Sequence, residues 1–257
     1  MKNLRIATWN IKNSYFALKK NELKAKAVVQ LLRSENLDIL ALQEVNPLLA
    51  IKIEENLRKI EMTSSNTTYQ VTSTYQRTNI HNNPIKNLRV EYNMIISKMN
   101  PILDSTTESL SSSPKGIKKF KFWERRNRNM ITQVFENNLA IDVTHLEHTS
   151  EELGKRQMTE VANFVHNQVE EGYNVILTGN LNRKPMEQNM IDFTSELSNS
   201  DMKVVENLHK TYIGHQEEQP VDYVIVPNDW QIDSVKTLEE YDEYSSHRPV
   251  VVETRKR

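Results

Sequence analysis

Six short polar stretches, each closing a run that reads as a β-strand, constrain this chain more than its size does. They are Thr8-Trp9-Asn10, Leu42-Gln43-Glu44-Val45, Thr144-His145-Leu146, Gly179-Asn180-Leu181-Asn182, Val221-Asp222-Tyr223 and Ser246-His247-Arg248-Pro249. A strand that ends in a polar residue delivers that side chain to the rim of its sheet, and several strands ending at one rim can focus on one point. Asn, Glu, His, Asn, Asp and His are gathered in this way. The stretches run from residue 8 to residue 249 of 257, so neither half carries the whole set, and one domain over 1–257 is expected.

Composition narrows the chemistry. A net charge of -1 means that attraction to phosphate has to be local. The absence of cysteine removes disulfides and thiolate-held metals, which leaves oxygen and nitrogen ligands. With 5 Gly and 8 Pro, long low-complexity linkers are not expected. No signal-like apolar stretch follows Met1, and no run approaches the roughly 18 to 20 apolar residues that span a bilayer. The expectation is a cytoplasmic protein with no membrane partner, monomeric by default.

Residues 4–9, 37–43, 69–75, 90–97, 139–145, 174–178, 221–226, 232–237 and 249–254 read as strands, and 120–135 as one long strand or two. A helix capped by Asn21 is expected to run to Glu35, with Leu23, Ala27, Val28, Leu31 and Leu32 on one stripe. Pro47 opens a second helix, and 151–170 form a third with Met158, Val161, Ala162, Val165 and Val169 on one face. Residues 77–89 and 104–114 read as polar loops. Long strands interleaved with helices imply two sheets packed face to face with helices outside.

Glu44 follows the apolar run Ile39-Leu40-Ala41-Leu42. A carboxylate at a buried strand end needs a partner, and a hard cation such as Mg2+ suits it, with Mn2+ the alternative. The plainer reading is a solvated or salt-bridged Glu. For Asn10 it is a turn residue bonded to its own backbone. His145 and His247 are acid/base candidates because both imidazole forms are accessible near neutral pH, and Asp222 can accept from one of them. A lone strand His is more often structural. His148 lacks the His-Glu-x-x-His pattern of a zinc site and reads as surface. The segment 115–128 carries Lys115, Lys118, Lys119, Lys121, Arg125, Arg126 and Arg128 with Phe120, Phe122 and Trp123 between them. It reads as a phosphate track with stacking aromatics, or as a strand with basic residues outward and aromatics inward.

The six stretches together resemble the endonuclease/exonuclease/phosphatase superfamily, the deoxyribonuclease I-like metal-dependent phosphodiesterases, over nearly the whole chain. The resemblance implies a four-layer α/β sandwich. It implies Glu44 as the central metal ligand with Asn10 beside it, Asp222 paired with His247, His145 on the scissile phosphate or leaving group, and Asn182 on the phosphate or nucleophile. Arg128, with Lys121 and Arg126 near it, would contact substrate phosphate, and Glu91 would be a second acidic residue near the site. Two positions depart from the pattern. Asn180 stands where the family has Asp in Gly-Asp-Phe/Leu-Asn, and Ser246 where it has Asp in Ser-Asp-His, a residue linked to the metal or to the adjacent His. An amide is nearly isosteric with a carboxylate but is neither charged nor a base. A natural pseudo-enzyme and an active ancestor silenced recently or on purpose both account for this, and the intact remainder of the site favours the second.

Trp9-Asn10-Ile11-Lys12-Asn13 and Gln43-Glu44-Val45-Asn46 differ from the exonuclease III-like repair branch. Val221-Asp222-Tyr223 lacks the second motif of inositol polyphosphate 5-phosphatases. The basic segment then points to nucleic acid, DNA before RNA. The expected function is a metal-dependent nuclease impaired at residues 180 and 246. The alternatives are a binding pseudo-enzyme and a phosphatase of small phosphoesters.

Overall fold

The computed structural model describes residues 3–257 apart from 13, 15, 16, 64–67, 74–90, 112–127, 208 and 215–218. Two six-stranded sheets lie face to face. The first has the order β11-β12-β1-β2-β4-β3 and the second β5-β6-β7-β8-β10-β9. Their strands are β1 (Leu4–Asn10), β2 (Ile39–Val45), β3 (Gln70–Ser73), β4 (Tyr92–Ser97), β5 (Thr106–Ser109), β6 (Asn129–Phe135), β7 (Leu139–His145), β8 (Asn174–Asn180), β9 (Met202–Val204), β10 (Asp222–Pro227), β11 (Trp230–Thr237) and β12 (Val250–Lys256). The helices are α1 (Leu18–Ser34), α2 (Pro47–Thr63), α3 (Glu151–Glu170) and α4 (Gln188–Ser198). Among the described residues, no helix is long and apolar enough to cross a membrane.

Alternation along the strands builds three apolar layers. Ala7, Trp9, Leu40 and Leu42 pack on α1 and α2 through Val28, Leu31, Leu49 and Ile53. Ala140, Val175, Leu177 and Ile225 pack on α3 and α4 through Met158, Val161, Val165 and Phe193. Ile6, Ile39, Ala41, Ile141, Val143, Ile176, Val224 and Val252 fill the space between the sheets. The four-layer α/β sandwich is therefore present. The inter-sheet phase also sets the site: Ile6 and Thr8 lead to Asn10, Ile141 and Val143 to His145, and Ile176 and Thr178 to Asn180. The periodicity that makes the core delivers its polar termini to one rim.

The chain uses the same device twice. In each half a central parallel pair, β1–β2 or β7–β8, is followed by an antiparallel strand, β4 or β10, and flanked by another, β12 or β6. This internal likeness leaves no sequence repeat of fixed period.

Several local expectations change. Asn21 does not cap α1, which starts at Leu18 after Ala17 with no side-chain cap. It is buried within the helix, where its Oδ1 accepts from Asn46 Nδ2 at 3.1 Å. Asn46 in turn caps α2: its Oδ1 accepts the Leu49 N–H at 2.8 Å, just ahead of Pro47. Leu23 is exposed, outside the stripe that buries Ala25, Ala27, Val28, Leu31 and Leu32. Thr106–Ser109, expected as loop, is an exposed edge strand paired with β6. The helix α4, with Met190, Phe193 and Leu197 at helical spacing, and the three-residue strand β9 are additions to the expected elements. The expected loop at 77–89, and Lys121 and Arg126, lie outside the described residues.

Candidate active site

Glu44 sits where β2 breaks register with β4, between Leu42 and Val45. Simple alternation would put it on the α1/α2 face with Leu42. The bulge and a left-handed backbone (φ 58) turn it to the inter-sheet side, where its Oε1 accepts from Asn10 Nδ2 at 3.1 Å. Asn10 Oδ1 accepts the Lys12 N–H at 2.9 Å, so the amide braces Glu44. The loop after Asn10 is held by Lys24, whose Nζ donates to Ile11 O at 2.8 Å, to Ser14 Oγ at 2.8 Å and to Lys12 O. Burial pushes the Lys24 ammonium down to about 8, against the pull of Glu44.

Glu91 immediately precedes β4, which starts beside Val45. Ligand atoms of Glu44, Glu91 and His145 all lie within 4.8 Å of one another. His145 Nε2 is 3.8 Å from Glu44 Oε1, beyond hydrogen-bond length. Arg128, 4% exposed, places Nη1 2.7 Å from His145 Nδ1. A guanidinium only donates, so Nδ1 accepts and Nε2 carries the hydrogen. Two converging carboxylates fit a hard divalent cation. His145, in this tautomer, is a donor beside that site rather than a ligand.

Asp222 and His247 form the second cluster. Asp222 starts β10 opposite Asn180, and its Oδ2 lies 2.9 Å from His247 Nδ1. The His247 backbone is tied to β1: its carbonyl accepts Trp9 Nε1–H at 2.8 Å, and its N–H donates to Ser245 Oγ, which donates to Asn10 O at 2.7 Å. Tyr212 packs against the imidazole with ring centroids 4.7 Å apart. Ser245, Lys24 and Tyr212 lie outside the six stretches and were missed. A buried Lys on an otherwise apolar helix face was the one available signal.

The comparisons bear on family and fold. The family model for the Endonuclease/Exonuclease/phosphatase family matches residues 7–247. The chain belongs to the endonuclease/exonuclease/phosphatase family. No curated protein matches the sequence. Among solved structures, an endonuclease/exonuclease/phosphatase from Bacteroides vulgatus is similar at TM-score 0.72 and 17% identity, covering 100% of this chain and 100% of that one. The human nocturnin catalytic domain with bound sulfate gives 0.66 and 16%, covering 98% and 94%. A mannosyl-6-phosphatase from Bacteroides thetaiotaomicron gives 0.68 and 14%, covering 98% and 99%. At these identities the likeness is one of fold.

Against the family pattern, Asn180 is the informative departure. Its Oδ1 accepts the Asn182 N–H at 2.9 Å, which turns Nδ2 toward His247 Nδ1 at 3.2 Å. That ring nitrogen can donate to Asp222 or accept from Asn180, but not both. A carboxylate at 180 would present an acceptor in the same place and remove the conflict. Ser246 Oγ is shielded and has no hydrogen-bond partner among the described residues. Gly179 stays within the pattern for steric reasons: at φ 147, a Cβ would lie 2.0 Å from Thr144 O.

Proposed function

We propose that this fold hydrolyses phosphodiester bonds of nucleic acid, DNA before RNA, with the help of a divalent cation, and that the chain as written is slowed by Asn180 and Ser246. The observation that carries the reading is two histidines on one rim whose partners, Arg128 and Asp222, favour opposite tautomers. His145 faces the site with Nε2–H because Arg128 donates to its Nδ1. His247, with Nδ1–H on Asp222, presents Nε2 as an acceptor. One donor and one acceptor beside two carboxylates suit a reaction that protonates a leaving oxygen and deprotonates water.

Glu44 and Glu91 would hold the cation, Mg2+ or Mn2+, which when bound would neutralise charge on a phosphate oxygen. Asn10 orients Glu44. His145 donates to the phosphate or the leaving oxygen, and Asn182 aligns the phosphate. His247, oriented by Asp222, takes a proton from the attacking water with the residue at 180, where an amide cannot assist. Arg128 supports His145 through its tautomer; in the sequence reading it contacted phosphate directly. The preference for nucleic acid rests on the basic segment 115–128.

The test is supercoiled-plasmid nicking with Mg2+, with and without chelator, for the chain and for the Asn180→Asp, Ser246→Asp double variant. Chelator-sensitive nicking by the double variant, well above that of the chain, is expected. Phosphate release from small phosphoesters with plasmid intact would move the assignment to a phosphatase. Metal-independent, salt-sensitive DNA binding without turnover in either protein would make it a binding module.

A further inference from the structure

Arg183 follows Gly179-Asn180-Leu181-Asn182, and its guanidinium lies against the first turn of α3. We propose that Arg183, seated in a notch left by Gly154, is a positioning residue that holds the Asn182 amide in place for the substrate phosphate; this rests on the function proposed above.

Asn182 has a left-handed backbone (φ 53), a conformation that persists in a non-glycine residue only where its surroundings hold it. Its N–H is fixed on Asn180 Oδ1, and its Nδ2 donates to Leu146 O at 2.8 Å, next to His145. The remaining handles are the carbonyls of residues 182 and 183, and each is held. Arg183 Nη1 donates to Asn182 O at 2.7 Å, and Tyr223 Oη donates to Arg183 O at 2.6 Å. Arg183 Nη2 reaches Ser150 O at 3.4 Å, the residue whose Oγ caps α3 by accepting the Leu153 N–H. The loop is thereby clamped to the end of a 20-residue helix.

Two features mark this as more than filler. Arg183 is 5% exposed, yet its nearest carboxylate, Glu187, is 3.9 Å from Nε, and Nε has no hydrogen-bond partner among the described residues. A buried guanidinium served mainly by carbonyls is costly for packing alone. Gly154 lies inside α3, where alanine is ordinarily the more stable choice. A Cβ there would meet Arg183 Nη2 at 2.0 Å and Cζ at 2.9 Å. The glycine and the arginine are a matched pair on separate elements.

The experiment uses Gly154→Ala, Arg183→Ala, Arg183→Lys and the Gly154→Ala, Arg183→Ala double variant. Gly154→Ala should lower Tm by several degrees alone and by much less when Arg183 is already Ala, where only the Glu147 carbonyl at 3.1 Å still crowds the Cβ, a dependence on residue 183 that helix propensity does not produce. In protein labelled with 15N at asparagine, the Asn182 side-chain amide should be shifted and protected in the parent and move to the free-amide position in Arg183→Ala. In the Asn180→Asp, Ser246→Asp background, Arg183→Ala and Gly154→Ala should each lower kcat about ten- to a hundredfold with KM little changed. Arg183→Lys, which keeps the charge but loses the fork, should behave like Arg183→Ala, and it carries the test if Arg183→Ala does not fold. An unmoved Asn182 amide, or full kcat without Arg183, would overturn the proposal. If that background turns over no phosphoester, the functional reading fails by itself and the amide signal decides the clamp.

Discussion

The two halves of this molecule end equivalent strands on different chemistry. β1 and β7 end on Asn10 and His145, β8 ends on Asn180, and β2 carries Glu44 one residue before its end. The antiparallel neighbour β10 begins at Asp222 and β4 directly after Glu91, and the flanking strands β12 and β6 are preceded by His247 and Arg128. The first sheet thus brings a pair of glutamates to the rim, and the second brings a guanidinium and the imidazole it touches. His247 is the exception, reaching from the first sheet to Asp222 of the second. The mounting differs as well. Glu44 stands on a bulge with a left-handed backbone, whereas Asn180 continues the regular pleat of β8. A residue on a regular pleat can change from acid to amide with little backbone consequence, while the bulge is built around the direction of Glu44. On the proposed function, cation binding would draw on the first half and water activation on the second, and substitution at 180 and 246 should strike the chemistry harder than the grip.

The largest expected effect follows. Restoring acids at 180 and 246 should raise phosphodiesterase turnover by about 10²- to 10⁴-fold, measured by initial rates at saturating Mg2+. A rise below tenfold would mean that the second half is not where the chemistry was lost. Within that restored protein, Asp222→Asn should lower kcat by about 10³-fold, because an amide no longer selects the Nδ1–H tautomer of His247. Equal loss at all pH values with an unchanged KM is the expected pattern. Smaller effects should mark the first half: Glu44→Gln and Glu91→Gln should each weaken Mn2+ binding about 10- to 100-fold by calorimetric titration. Asn180→Asp should leave that affinity nearly unchanged, and a large gain there would erase the division between the halves.

Strand identity, layer order and the rim were legible in the sequence because each rests on a two-residue alternation that ends in a polar residue. Asn10, His145 and Asn180 could be placed from Ile6, Val143 and Ile176 alone. The unreadable parts depend on departures from that rule or on contacts distant in sequence. Nothing local announces that Glu44 is turned by a bulge, since alternation assigns it to the other face. Arg128 reads as one more cation in a basic run, yet it lies on His145, 17 residues away. The links from Ser245 to Asn10 and from Trp9 to His247 span 235 and 238 residues. Asn21 was misplaced because a short polar residue ahead of an apolar stripe resembles a cap, while its actual role is to support the next helix's cap from inside α1.

The smallest expected effect on turnover concerns Asp142, which must be separated from the site before any pH profile is read as the site's own. It lies on β7 three residues before His145 but in the opposite phase, toward α3. It is fully buried, and its Oδ1 accepts from Thr132 Oγ1 at 2.5 Å and from Gln168 Nε2 at 3.3 Å. Burial pushes its carboxyl from 3.8 up to about 7, and those two hydrogen bonds pull the other way. The folded protein therefore holds this proton to higher pH than the unfolded chain does. The resulting stability is full below the unfolded value of 3.8, is lost as pH rises through about 7, and changes little above that. Asp142→Asn keeps the shape and removes the charge. It should match the parent near pH 4 and exceed it at pH 8 by about 2–4 kcal/mol in urea unfolding. Parallel profiles for the two proteins would mean that Asp142 ionises at little cost where it lies. If Asp142→Asn instead flattens the stability profile between pH 5 and 8, the pH dependence of turnover that the restored enzyme keeps with this substitution is not an effect of Asp142, and the contrast between the halves can be read from its kinetics.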